Sequence, residues 1–106
     1  MKQIVKVKIG NHFYSVRRIK PQDMNNYYGY TWCVHRAIDL NDELTREELP
    51  YVIRHEVCHA LLDTQGRRFQ KKFDIEELCE FVAWNNEEIT RITNEIMKKL
   101  EGKENG

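Results

Sequence analysis

The stretch from Tyr51 to Leu62 constrains this chain more than any other: once His55, Glu56 and His59 are set aside, Arg54 is its only polar residue. A run that apolar, more than three helical turns long, reads as a helix covered nearly all round. Its entrance is marked by Thr45 and Glu48, spaced as a capping box, with Leu44 and Leu49 at the positions of a hydrophobic staple. Pro50 removes a backbone hydrogen bond, so a short first turn followed by a kink or a restart is expected, the main segment running over 51–64.

The flanking elements follow from periodicity. Val5, Val7 and Ile9 alternate with Lys6 and Lys8, Gly10-Asn11 reads as a tight turn, and Phe13 to Ile19 returns with Tyr14 and Val16 on one side. This predicts an N-terminal β-hairpin. Lys20 to Gly29 reads as a loop, and Tyr30 to Leu40 as a third strand whose polar positions suggest a sheet edge. A second long helix is announced by Asp74 and Glu77 as a capping box, with Phe73 and Leu78 as the staple. Its stripe of Ile75, Leu78, Cys79, Val82, Ile89, Ile92, Ile96 and Leu100 keeps a period near 3.6, and Gly102 stops it. The span is long for a small domain, and Asn85-Asn86 is a candidate break.

At 106 residues, 41% hydrophobic and 32% charged, the chain suits one domain over 1–102, ending in a polar tail at 103–106. Seventeen Lys and Arg balance seventeen Asp and Glu, so the basic excess behind non-specific nucleic-acid affinity is missing. Nucleic acid and anionic membrane are accordingly not expected as main partners. Cys33, Cys58 and Cys79 match neither a disulfide framework nor a Cys-x-x-Cys metal knuckle, which favours a reducing compartment. The first ten residues lack the apolar run of a signal peptide, and no run approaches a membrane span of about 20 residues. A cytoplasmic protein is expected.

His55-Glu56-Val57-Cys58-His59 reads His-Glu-x-x-His within the predicted helix. Residues four apart share a face with Cβ atoms about 5–6 Å apart, so both imidazoles can reach one Zn²⁺. Glu56 projects about 100° away from His55, placed to act on a water as general base without being a ligand itself. Two buried imidazoles and a carboxylate without partners would be costly in so apolar a helix, which favours a metal site over an ordinary surface pair.

A catalytic zinc needs a third protein ligand. Leu62 and Gln65 stand where a longer form of the motif would carry glycine and a third histidine, so the ligand is sought on the second helix. Glu77 is used by the cap. Glu76, flanking the apolar stripe, is the first choice, and Glu80, one turn on, can accept a hydrogen bond from the far nitrogen of a ligand histidine. Asp63, one turn beyond His59, is the alternative third ligand.

Arg54 to Leu62, followed by Ile75 to Ala83, resembles the small zincin-like metallopeptidases of the ImmA/IrrE type and their relatives in phages and mobile elements. Tyr28-Gly-Tyr30 and Arg36 to Leu40 resemble the strand stretch that precedes the active helix in that group. Gluzincins carry their third ligand in an Asn-Glu-x-x-x-Asp pattern; Ile75-Glu76-x-x-x-Glu80 keeps both acids but has Ile for Asn. The resemblance implies a minimal zincin fold, a zinc ion and, in some members, cleavage of a repressor or regulator.

The expected fold is therefore α+β: a small, mostly antiparallel sheet, a central helix bearing the motif, and a C-terminal helix completing the site. The expected function is a zinc-dependent endopeptidase acting on a protein or peptide substrate, with Glu56 as base. The alternative is a non-catalytic interaction module using the zinc as a structural clamp. Arg36, Ile38 and Leu40 are candidates to bind an extended substrate along an edge strand. Tyr27, Tyr28 and Tyr30 are candidate oxyanion donors or packing residues. His12 and His35 read as surface residues and Arg67 to Lys72 as a solvated basic loop; Cys58 and Cys79 lie on the two site helices, where a thiolate could bind zinc, but as small core fillers they need no function.

Overall fold

A computed structural model describes residues 2–67 and 72–102. The middle of the basic loop, 68–71, and the tail, 103–106, lie outside the described residues. The protein is α+β: the described residues form a four-stranded mixed sheet and two α-helices.

Strands β1 (Ile4–Ile9) and β2 (His12–Ile19) form the expected hairpin, paired from Ile4–Arg17 to Ile9–His12. Gly10 makes the turn at φ 62°, and a Cβ there would also lie 3.0 Å from that of Thr64. After a short 3-10 turn over Pro21–Met24 come β3 (Gly29–Trp32) and β4 (Ala37–Asn41), two strands where the sequence suggested one. Residues 33–36 form the turn between them, with Arg36 in the left-handed region at φ 51°. The strand order is β1-β2-β4-β3: β4 inserts between β2, to which it is parallel, and β3, to which it is antiparallel. Two of the three pairings are thus antiparallel.

This order overturns the edge role expected for Arg36, Ile38 and Leu40. β4 is hydrogen-bonded on both sides and buried throughout, with Ile38 and Leu40 at 0% exposure, so no added strand can reach it. Arg36 precedes the strand, in the turn. The edge beside β4 is β3.

Helix α1 (Glu48–Thr64) is entered through the Thr45–Glu48 box, Glu48 N–H bonding Thr45 Oγ1 at 3.2 Å and Thr45 N–H bonding Glu48 Oε1 at 2.8 Å. No restart follows, because Pro50 falls in the first turn, where backbone N–H groups lack intrahelical partners anyway. Ile53, Val57 and Ala60, all fully buried, seat α1 on the sheet. The helix is not covered all round: Tyr51, His55 and His59, spaced four apart, form an exposed stripe.

Helix α2 (Ile75–Leu100) begins at the Asp74–Glu77 capping box, both bonds of which are present, and runs unbroken through Asn85-Asn86. Asn85 is instead a buried tie, accepting from Gln65 Nε2 at 2.8 Å and donating to the Phe81 carbonyl at 2.9 Å. Beyond it, Ile89, Ile92, Ile96 and Leu100 enter the core beside Val5, Val7 and Ile9. Before it, the same stripe is bare: Ile75, Leu78 and Val82 are 78%, 53% and 51% exposed. Among the described residues no helix is long and apolar enough to cross a membrane.

Candidate metal and active site

The helical spacing of His55 and His59 brings their Nε2 atoms to 3.3 Å, with ring centroids 5.0 Å apart and planes at 70°. Two nitrogens each about 2.0–2.1 Å from a tetrahedral zinc would stand about 3.3–3.4 Å apart, so the pair already has the required bite. Both rings are exposed, leaving room for further ligands.

Glu56 lies on the inner side of the same turn and is only 5% exposed. Its Oε1 accepts a hydrogen bond from Thr31 Oγ1 at 2.8 Å, and the Glu56 carbonyl lies 3.1 Å from the same hydroxyl. A hydroxyl has one proton, and the shorter contact to the carboxylate is the stronger, charge-assisted one. Gly29 explains how β3 approaches so closely. A Cβ there would lie 2.8 Å from Val52 Cγ1 and 3.0 Å from both Cγ and Oε2 of Glu56, so only glycine leaves space for the carboxylate.

In front of this carboxylate opens a cleft of about 280 Å³, lined by Tyr27, Tyr28, Gly29, Tyr51, Val52, His55 and Glu56. Its size suits one side chain more than a whole small ligand. Tyr28 thus stands at the site and Tyr27 at the sheet's rim, where it also borders Tyr30, which packs against Trp32 on the other face of the sheet. Burial pushes the Cys58 thiol up in pKa; nearby Arg54 opposes this and Glu56 adds to it. Its thiolate is disfavoured, consistent with a filler packed against the core rather than a ligand.

Among the described residues, no third His, Cys, Asp or Glu joins the histidines in a group able to hold a metal ion. Glu76 and Glu80, assigned to the site from the sequence, are exposed on the bare half of α2. Glu80 lines a separate cleft of about 230 Å³ with Gln65, Arg67, Phe81, Trp84 and Asn85. Glu77 caps the helix as expected and faces Arg67 at 3.8 Å. Asp63 is half-buried and does not complete a trio either. The predicted stripe is buried only in its second half, from Ile89 onward; in the first half Ile75, Leu78 and Val82 are exposed, and Phe81, off that stripe, is the side chain that packs against the core.

Thr31, Gly29 and Tyr51 were not singled out in the sequence. Gly29 carried a signal, since an isolated glycine at a strand marks a close backbone approach. Thr31 carried none, because its partner lies on another element.

No family model, curated protein or solved structure matches this chain.

Proposed function

We propose that the domain is a zinc-dependent endopeptidase of minimal zincin-like build, with His55 and His59 as metal ligands and Glu56 as general base. The observation that carries this reading is the pairing of two exposed imidazoles at zinc bite distance with a buried carboxylate one residue away. A structural clamp would use four closed protein ligands and has no need of Glu56. A zinc ion held by His55 and His59 would supply a Lewis acid for the scissile carbonyl and would make water a usable nucleophile near neutral pH.

The chain's own groups do the rest. Glu56 takes the proton from the attacking water and returns it to the leaving nitrogen, while Thr31 fixes the carboxylate through one oxygen and leaves Oε2 for the water. An extended peptide pairs with the free edge of β3, the role the sequence had given to β4. The Tyr27–Tyr28–Tyr51 cleft receives one of its side chains. Glu76 remains the proposed third ligand, with Glu80 supporting a ligand histidine. Since neither stands beside the pair, this requires the first turns of α2 to close toward α1, burying the stripe of Ile75, Leu78 and Val82.

The test is zinc content together with cleavage of labelled casein. Wild type should hold about one equivalent and cleave, and His55→Ala and His59→Ala should lose both properties. Full zinc content in both variants would refute the assignment.

A further inference from the structure

The zero net charge averages over a strong segregation. Residues 2–22 contain six basic side chains, Lys2, Lys6, Lys8, Arg17, Arg18 and Lys20, and no Asp or Glu. This segment builds β1 and β2, and the strand register says which of its side chains share a face. The core uses the face of Val5, Val7, Tyr14 and Val16. On the opposite face, Lys8 stands across from Phe13, Lys6 lies in register with Ser15, Ala37 and Trp32, and Arg17 with Asp39 and Tyr30. At a strand spacing of about 4.8 Å, the row from Lys6 to Trp32 covers roughly 14 Å. Both helices pack on the other side of the sheet.

The aromatic side chains of this face are ordered as platforms. Trp32 donates its Nε1–H to Asp39 Oδ2 at 2.9 Å, and Asp39 is gripped by both Nε and Nη2 of Arg17, at 2.6 and 2.9 Å. The one acid in these rows is therefore already paired. Tyr27, Tyr30, Trp32 and His35 follow one another with centroid separations of 6.2, 4.6 and 6.3 Å. Tyr30 and Trp32 remain 44% and 42% exposed, and Phe13 67%. Beside them lies a cleft of about 340 Å³ whose lining includes Tyr27, Tyr30, Trp32 and Asp23.

Exposed rings beside lysines on an open sheet fit a polymer that alternates flat bases with anionic phosphates. We infer that the outer sheet face binds single-stranded nucleic acid, with bases stacking on Tyr30, Trp32 and Phe13 and the backbone running over Lys6 and Lys8. Stacking needs unpaired bases, which distinguishes this ligand from a duplex, and rings distinguish it from an acidic peptide. The Asp23 carboxylate at the cleft suits the exocyclic amino group of a base.

The test is fluorescence anisotropy of labelled single-stranded oligonucleotides, a mixed-sequence duplex and polyglutamate with the full chain. The single strands should bind with a log–log salt slope of about −1.4, for roughly two phosphate contacts. Lys6→Glu with Lys8→Glu should weaken binding at least tenfold. Tyr30→Leu and, separately, the more exposed Phe13→Ala should each weaken it about tenfold with unchanged circular dichroism. Absence of saturable binding at low salt overturns the inference. So does equal affinity for duplex or polyglutamate, or indifference to both aromatic substitutions.

Discussion

Thr31 Oγ1 lies 2.8 Å from Glu56 Oε1, and through that bond the edge strand β3 holds the carboxylate of the helix it packs against. Removing the hydroxyl leaves a buried acceptor unpaired. Thr31→Val should cost about 1–3 kcal/mol in urea unfolding, whereas Thr31→Ser should retain most of the stability.

Gly29 is the second support of the same carboxylate. In Gly29→Ala the new methyl must push Val52 or Glu56 aside, and overpacking of this kind costs about 1–3 kcal/mol. Casein cleavage should fall more than stability does, because the group displaced is the base itself. A variant with wild-type unfolding midpoint and activity would show that the close approach is dispensable.

The two halves of α2 should respond unequally to truncation. Ile92→Ala, at a fully buried position, should cost about 2–5 kcal/mol, and Ile75→Ala, at a 78% exposed one, within about 0.5 kcal/mol, both read by thermal or urea unfolding of the metal-free protein.

The hairpin, both capping boxes, the stop at Gly102 and the convergence of His55 and His59 were legible in the sequence, because each depends on residues a few positions apart. The division of residues 29–41 into two strands was not. Its turn contains no Gly or Pro, and Arg36 takes a left-handed conformation uncommon for its type. Nor was the insertion of β4 into the sheet legible, since alternation assigns a strand's faces but not its neighbours. The same applies to Glu76. Periodicity assigns it to one side of α2 but does not reveal that Ile75, Leu78 and Val82 of the stripe stay exposed, while Asn85 is held in the interior by Gln65, just past the end of α1.

Metal binding should couple to α2. In the proposed closure, zinc protects Ile75, Leu78 and Val82 from solvent, so hydrogen exchange over 75–84 should slow on zinc addition and recover with a chelator. Glu76→Ala should abolish that protection and weaken zinc strongly, while Glu80→Ala should weaken it by about 10–100-fold. Protection unchanged by zinc would remove both acids from the site.

The most direct measurement compares wild type with Glu56→Gln at equal zinc content. The amide keeps the size and the acceptor for Thr31 but cannot take a proton, so cleavage of labelled casein should fall by roughly 10²–10⁴-fold while zinc content and unfolding midpoint stay the same. Equal cleavage by the two proteins would contradict a general-base role for Glu56 and, with it, the peptidase mechanism proposed for this fold.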